Sequence, residues 1–238
     1  MPDSIARLID HSLLHPTLTD AELRAGCELA RRYGVASVCI KPYAVRLAVE
    51  LLRGSEVKVG TVVGFPHGAS STAVKIFEAE DACRAGAVEL DAVVNVGKVL
   101  SGDWEYVEHE IRALVEVAHR HGATIKIIFE NDFLPNDELK LRLCRICETC
   151  GVDFVKTSTG FGYTKLPDGN YNYRGATEAD VQLMRGATGS QVQVKAAGGI
   201  RNYAEAARMR SLGVTRIGAT ATEAIVAGER AALVGDKC

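Results

Sequence analysis

Five times along the chain a helix-like segment stops at a glycine and a short β-rich run begins at once: Gly34-Val35, Gly86-Ala87, Gly122-Ala123, Gly151-Val152 and Gly213-Val214. Glycine closes a helix in the left-handed conformation without the steric cost a Cβ would bring. The runs are VASVCI, AVELDAVV, ATIKIIF, VDFVK and VTRIG. Two more, VKVGTVV from Val57 and VQVKA from Val192, fill the two longest gaps, and RLID near the N-terminus supplies an eighth. Nearly continuous apolar runs suit strands covered on both faces of a parallel sheet. Helical signals fall between them. Thr19 and Glu22 form a capping box with Leu18 and Leu23 as its hydrophobic staple, and Asn202 with Glu205 repeats the box. Trp104, Val107, Ile111, Leu114 and Ala118 mark one apolar helix face. Eight strands alternating with helices predict an α/β fold, a (β/α)8 TIM barrel that takes residues 1–238 as one domain. An open doubly wound sheet is the competing arrangement.

With 238 residues and no linker-like stretch, the chain is long enough to bury a large core without staples. A formal net charge of −2 argues against nucleic acid or an anionic membrane as a partner. The segment from Met1 to Asp10 lacks a basic region followed by an apolar one, so no signal peptide is expected. No apolar run approaches the length of a membrane span. Seven cysteines lack the density of a disulfide scaffold and predict reduced thiols in a cytoplasmic protein. Cys144, Cys147 and Cys150 are spaced C-x2-C-x2-C, but the fourth cysteine of an iron–sulfur run is missing. They are expected to be small apolar residues on a helix that ends at Gly151.

Barrel enzymes place their chemistry where strands end and βα loops begin. Those ends offer Asp10 and His11, Cys39 and Lys41, Pro66 and His67, Asp91 and Asn95, and Glu130 and Asn131. They also offer Lys156 with the residues through Thr159, Lys195 with Gly198 and Gly199, and Gly218 with Thr220. Charges inside such apolar strands need a reason, because burying an unpaired charge is costly. Three strands carry a lysine: Lys126, Lys156 and Lys195. Each could be a partner for Asp10, Asp91 or Glu130, or a nucleophile. A free lysine titrates near 10.4, so only about one in 2,500 is neutral at pH 7. Burial and a second nearby cation both lower that value. Lys156 and Lys195 end successive predicted strands and can sit side by side. The pattern alone does not choose among the three lysines, nor between Schiff-base chemistry and a structural ion network.

Gly198-Gly199 and Gly218-Ala219-Thr220 follow the last two predicted strands and precede helices. In barrels these two loops often bind phosphate through backbone N–H groups, and Arg201 adds a cation. Two ordinary glycine turns are the plainer account. Other signals fail. Gly160-Phe161-Gly162 lacks the third glycine of a dinucleotide fingerprint. His119 and His121 diverge on a helix, and no histidine cluster has zinc spacing. No Gly-x-Ser-x-Gly elbow is present.

The strand ends resemble those of the deoxyribose-phosphate aldolase family. DFVKTSTGF around Lys156, QVKAAGGIR around Lys195, VGFPHG from Val63 and ELDAVVN around Asp91 carry the likeness, and IDHSLL and VCIKPYAV fit as well. The likeness runs in order from about Ile9 to about Ala224 and touches every predicted strand. It implies a (β/α)8 barrel and a Schiff-base aldolase that cleaves 2-deoxyribose 5-phosphate to acetaldehyde and glyceraldehyde 3-phosphate. It also implies roles. Lys156 matches the Schiff-base lysine. Lys195 matches the second lysine that keeps the first deprotonated. Asp91 matches the catalytic aspartate. Thr159, Gly198, Gly199 and Thr220 match positions near the phosphate; Gly218, Asp10 and Cys39, from their places at strand ends, are further candidates for binding the substrate. No metal or organic cofactor is required by such chemistry. The implied partner is a small phosphosugar, with a homodimer or homotetramer as the assembly.

Departures from the family pattern bear on the substrate more than on the reaction. Asn131 stands where threonine is usual, and Thr220 replaces a common serine. The loop YTKLPDGNYNYR after Gly162 is longer than usual, carries Tyr163, Tyr171 and Tyr173, and is expected to begin at the barrel mouth, with Pro167-Asp168-Gly169 as its turn. The final residue, Cys238, replaces the tyrosine found in some members. Two rival functions remain: a family aldolase with a different phosphosugar or aldehyde acceptor, and a non-catalytic barrel that only binds a sugar phosphate.

Overall fold

The structure, a computed structural model, describes residues 4–235. Cys238 lies outside the described residues. Eight parallel strands close into a barrel: β1 (Ile9–Leu13), β2 (Ser37–Ile40), β3 (Lys58–Val63), β4 (Glu89–Val93), β5 (Thr124–Ile128), β6 (Phe154–Lys156), β7 (Gln193–Ala197) and β8 (Arg216–Ala219). Each strand pairs with its sequence neighbours, and β8 closes on β1. The open doubly wound alternative is therefore excluded. Helices cover the outside, the longest being Asp20–Tyr33, Thr72–Arg84, Trp104–Arg120, Asp137–Cys150 and Thr222–Gly235.

The glycine punctuation acts as expected. Gly34, Gly86, Gly122, Gly151 and Gly213 all have positive φ, between 60° and 105°. The Thr19–Glu22 box is reciprocal, and Leu23 is buried beneath it. At the later box Asn202 accepts the Glu205 N–H at 2.9 Å, but the Glu205 carboxylate takes the N–H of Arg201 instead of that of the cap residue. Val107, Ile111, Leu114 and Ala118 are buried against the barrel, with Trp104 packed at the edge.

The N-terminal run needs correction. RLID is not one strand: Ile5–Leu8 is a 3-10 turn and the strand begins at Ile9. Ser4 and the N–H of Ile5 bond the carboxylate of Glu229 at 2.6 and 2.7 Å. That tie to the last helix diverts the chain before it can join the sheet.

Successive residues of a strand point to opposite faces. Ile9, Leu90, Ile125, Val155, Val194 and Ile217 join the apolar layer beneath the helices. Their neighbours Asp10, Asp91, Lys126, Lys156, Lys195 and Arg216 turn into the barrel. Charge thus fills the centre, and apolar packing surrounds it.

Candidate active site

Register decides who meets whom. Lys156 pairs directly with Lys195 across β6 and β7, so the expectation that they sit side by side holds. Asp91 pairs with Lys126 across β4 and β5. Ile128 is the residue level with Lys156 on β5, which puts Lys126 two residues, roughly 6–7 Å, deeper in the barrel.

Asp91 is the hub of the upper layer. Its Oδ2 accepts from Lys156 Nζ at 2.7 Å and from Lys195 Nζ at 2.6 Å, while Oδ1 accepts from Lys126 Nζ at 2.8 Å. Lys195 also donates to Asp10, which in turn takes Ser37 at 2.6 Å and Arg216. Below them, Glu89 accepts from Lys126 at 2.7 Å and from Arg216 at 2.7 and 3.0 Å. Joined by these contacts are three buried carboxylates (Asp10, Glu89, Asp91) and four bases (Lys126, Lys156, Lys195, Arg216). Lys58 reaches Glu89 only at 3.6 Å, and its side chain is 53% exposed. A fourth buried carboxylate, Glu130, makes no hydrogen bond to these bases but acts on Lys156 through its charge.

Of the four bases, Lys156 is the one whose pKa is lowered. Burial pushes its pKa below the usual lysine range; Asp91 opposes this and Lys195 reinforces it. Burial also acts against Lys195, but Asp10 and Asp91 outweigh it and hold the group charged. Lys126 likewise overcomes burial through Asp91, Asp10 and Glu89, and its pKa moves up. Burial would raise Asp91, yet the three lysines hold it well below the carboxylate range.

A cavity of about 480 Å³ opens above this layer at the C-terminal ends of the strands. Lys156, Lys195, Asp10 and Cys39 line its depth, while Thr159, Gly198, Gly199, Gly218 and Thr220 line one wall. Asp91 lies just beneath, 1% exposed. Both Asp10 oxygens are engaged by Ser37, Arg216 and Lys195, so it acts on the cavity through Lys195. Burial, aided by Asp91, pushes the Cys39 thiol up to about 11. It is a thiol at neutral pH and not the thiolate that conjugate addition needs. Gly198 and Gly199 both have positive φ, 98° and 83°, and line the cavity together with Thr220.

Other strand-end residues serve elsewhere. Lys41 donates to the carbonyls of Pro16 and Leu18 at 3.2 and 2.9 Å, and Asn95 caps the short helix Val96–Leu100. Asn131 is buried with its amide toward Met184 at 3.5 Å, so this departure from the family pattern faces away from the cavity. Cys144, Cys147 and Cys150 are buried in Asp137–Cys150 with thiols raised by burial, as apolar residues would be.

The long loop does begin at the mouth. Tyr163 and Tyr173 line the cavity, their rings 5.2 Å apart, while Tyr171 points out at 63% exposure. The loop is a small antiparallel hairpin, Thr164–Lys165 with Tyr171–Asn172, turned at Leu166 to Gly169 by a 2.9 Å bond. Pro167 and Asp168 are the two central residues of that turn. Sequence reasoning set aside one residue that the structure brings to this wall. Glu130 appeared as a strand end and a partner for the buried lysines. It is instead bonded to Thr159, in a left-handed conformation. Its one signal was a charged residue directly after an apolar run.

A model of DeoC/LacD family aldolases matches residues 4–222. A deoxyribose-phosphate aldolase of Rhodopirellula baltica is 50% identical over 92% of this chain and 86% of its own. One from Caldanaerobacter subterraneus is 47% identical, covering 94% and 92%. Among solved structures, the deoxyribose phosphate aldolase of Aeropyrum pernix, described as a tetramer, superposes with a TM-score of 0.83 at 29% identity, covering 96% and 92%.

Proposed function

Because the chain belongs to the DeoC/LacD family of aldolases, we propose that it cleaves 2-deoxyribose 5-phosphate to acetaldehyde and glyceraldehyde 3-phosphate through a Schiff base on Lys156. The observation that carries this reading is the placing of Lys156. It is the one base of the buried network whose pKa is lowered, it shares a single Asp91 oxygen with Lys195, and it lines the cavity.

The sequence of steps follows. Neutral Lys156 Nζ adds to the C1 aldehyde, and the carbinolamine loses water with a proton from charged Lys195. The iminium draws the electrons of the C2–C3 bond as that bond breaks. The C3 hydroxyl proton passes to Asp91 through water or to the now neutral Lys195, and C3 becomes the aldehyde of glyceraldehyde 3-phosphate. The remaining enamine takes a proton at C2, and water releases acetaldehyde and Lys156. Asp91 is held too acidic to be a strong base alone; its charge orients both amines. The N–H groups of Gly198 and Gly199, with Thr220, are placed to take the phosphate, roughly as a helix N-terminus would. A non-catalytic barrel gives no reason for a buried lysine of lowered pKa to line a cavity. We further place the enzyme in a cytoplasm as a dimer or tetramer. Its six described cysteines are unpaired, and a relative is described as tetrameric.

The test is a screen of phosphorylated and free deoxysugars, reading aldehyde release. Cleavage of 2-deoxyribose 5-phosphate above all others is expected. Preference for another phosphosugar would replace the substrate, and no cleavage of any would refute the enzyme reading.

A further inference from the structure

Glu130 ends β5 in an unusual way. The N–H of Phe129 continues the ladder to Lys156 O at 2.9 Å; then Glu130 swings to φ 56°, ψ 67°. It is the one non-glycine residue with positive φ among the described residues. A side chain is sterically opposed there, and such outliers persist where the surroundings enforce them. The turn brings Asn131 N–H to Thr157 O at 3.0 Å and drops the Glu130 carboxylate under the start of the loop after β6. Its Oε2 accepts both the N–H (3.2 Å) and the hydroxyl of Thr159, and Thr159 Oγ1 accepts the Phe161 N–H at 2.9 Å. A Cβ on Gly162 would stand 2.6 Å from Glu130 Oε1, so the loop closes directly over the carboxylate.

Two residues later Asp132 accepts the N–H groups of Arg174 and Gly175 at 3.1 and 2.9 Å. Gly175 abuts Gly198: a Cβ on it would lie 2.7 Å from the Gly198 carbonyl carbon. Ala176 N–H bonds Gly198 O at 3.1 Å. One turn after β5 therefore ties down both ends of the long loop, and through it two walls of the cavity.

We infer that Glu130 is a positioning residue for the acceptor half of the substrate, its carboxylate fixing Thr159 and the loop start that wall the cavity. This rests on the proposed phosphosugar cleavage. The amine of Lys156 bonds Asp91 and makes no hydrogen bond to Glu130, whose carboxylate acts on it through charge alone.

Glu130→Gly is the decisive variant, because glycine keeps the left-handed backbone without strain while the side chain and its carboxylate are removed. Glu130→Gln restores an acceptor for Thr159. The Michaelis constant for 2-deoxyribose 5-phosphate should rise about tenfold in Glu130→Gly and return to within about twofold in Glu130→Gln. Borohydride trapping with acetaldehyde should not fall in either, since loss of the Glu130 charge eases deprotonation of Lys156. An unchanged Michaelis constant, or trapping that falls with it, overturns the inference. Wild-type cleavage of the sugar phosphate separately tests the function itself. Amide exchange at Thr159 and Phe161 reads the brace with no substrate present. It should quicken in Glu130→Gly and recover in Glu130→Gln, and equal exchange in all three also overturns the inference.

Discussion

Lys126 and Lys156 project into the same barrel, are 1% and 3% exposed, and donate to the same aspartate. Yet their pKa values move in opposite directions, that of Lys126 up and that of Lys156 down. Lys126, in the lower layer, bonds Asp91 and Glu89 and lies 3.7 Å from Asp10. Lys156, in the upper layer, has half a share of one Asp91 oxygen, the other half going to Lys195. Burial presses on both, so burial alone does not make a nucleophile. What differs is the number of carboxylates in ion-pair range, three around Lys126 and one shared Asp91 oxygen for Lys156.

Substitution at each lysine should therefore break a different thing. Lys156→Met should lower turnover by roughly a thousandfold or more while the protein stays folded, since it removes the proposed nucleophile. Kinetics alongside urea unfolding check both halves. Lys126→Met should do the reverse in stability. It leaves buried oxygens of Glu89 and Asp91 without their partner, and losing one side of a buried ion pair costs about 3–5 kcal/mol. If Lys156→Met proved the more destabilising of the two, the contrast between the layers would be wrong.

Lys195→Leu sharpens the comparison by altering the charge around Lys156. The lost cation and the freed Asp10 and Asp91 carboxylates all favour protonated Lys156. Its pKa should rise, and the pH at which borohydride trapping first appears should move upward. Turnover should fall by about a hundredfold. A trapping profile that does not move would mean that the two lysines are electrostatically independent.

Weaker effects are expected at the rim. Replacing residues 163–174 with two glycines removes Tyr163 and Tyr173 from the cavity wall. The Michaelis constant for the phosphorylated sugar should rise by about tenfold, with acetaldehyde trapping spared. Unaltered kinetics would reduce the hairpin to an insertion. Cys39→Met should matter least. With the thiol pushed up to about 11, protection against unsaturated aldehydes should be less than about twofold at neutral pH and grow only in alkali. Strong protection at pH 7 would show that the thiol is more acidic than its burial allows.

Much of this was legible from local pattern. Glycines closing helices marked five strand starts, and the strand ends delivered Lys156, Lys195 and Asp91 to one face. The choice among three lysines was not legible, because it depends on Asp10 and Glu89, which come from strands far away in sequence. The 3-10 turn at Ile5–Leu8 was missed for a similar reason. Its partner, Glu229, lies 224 residues on. Glu130 was read as a possible ion-pair partner because a left-handed glutamate has no sequence signature. The capping box at Thr19, by contrast, involves only residues three apart and was read correctly.

The central claim is that the neutral amine of the network is Lys156. Incubation with acetaldehyde and borohydride, followed by peptide mapping by mass spectrometry, tests it directly. The account predicts a reduced two-carbon adduct on Lys156, loss of activity in proportion to its extent, and unmodified Lys126 and Lys195. An adduct on either of those two, with Lys156 free, would contradict it.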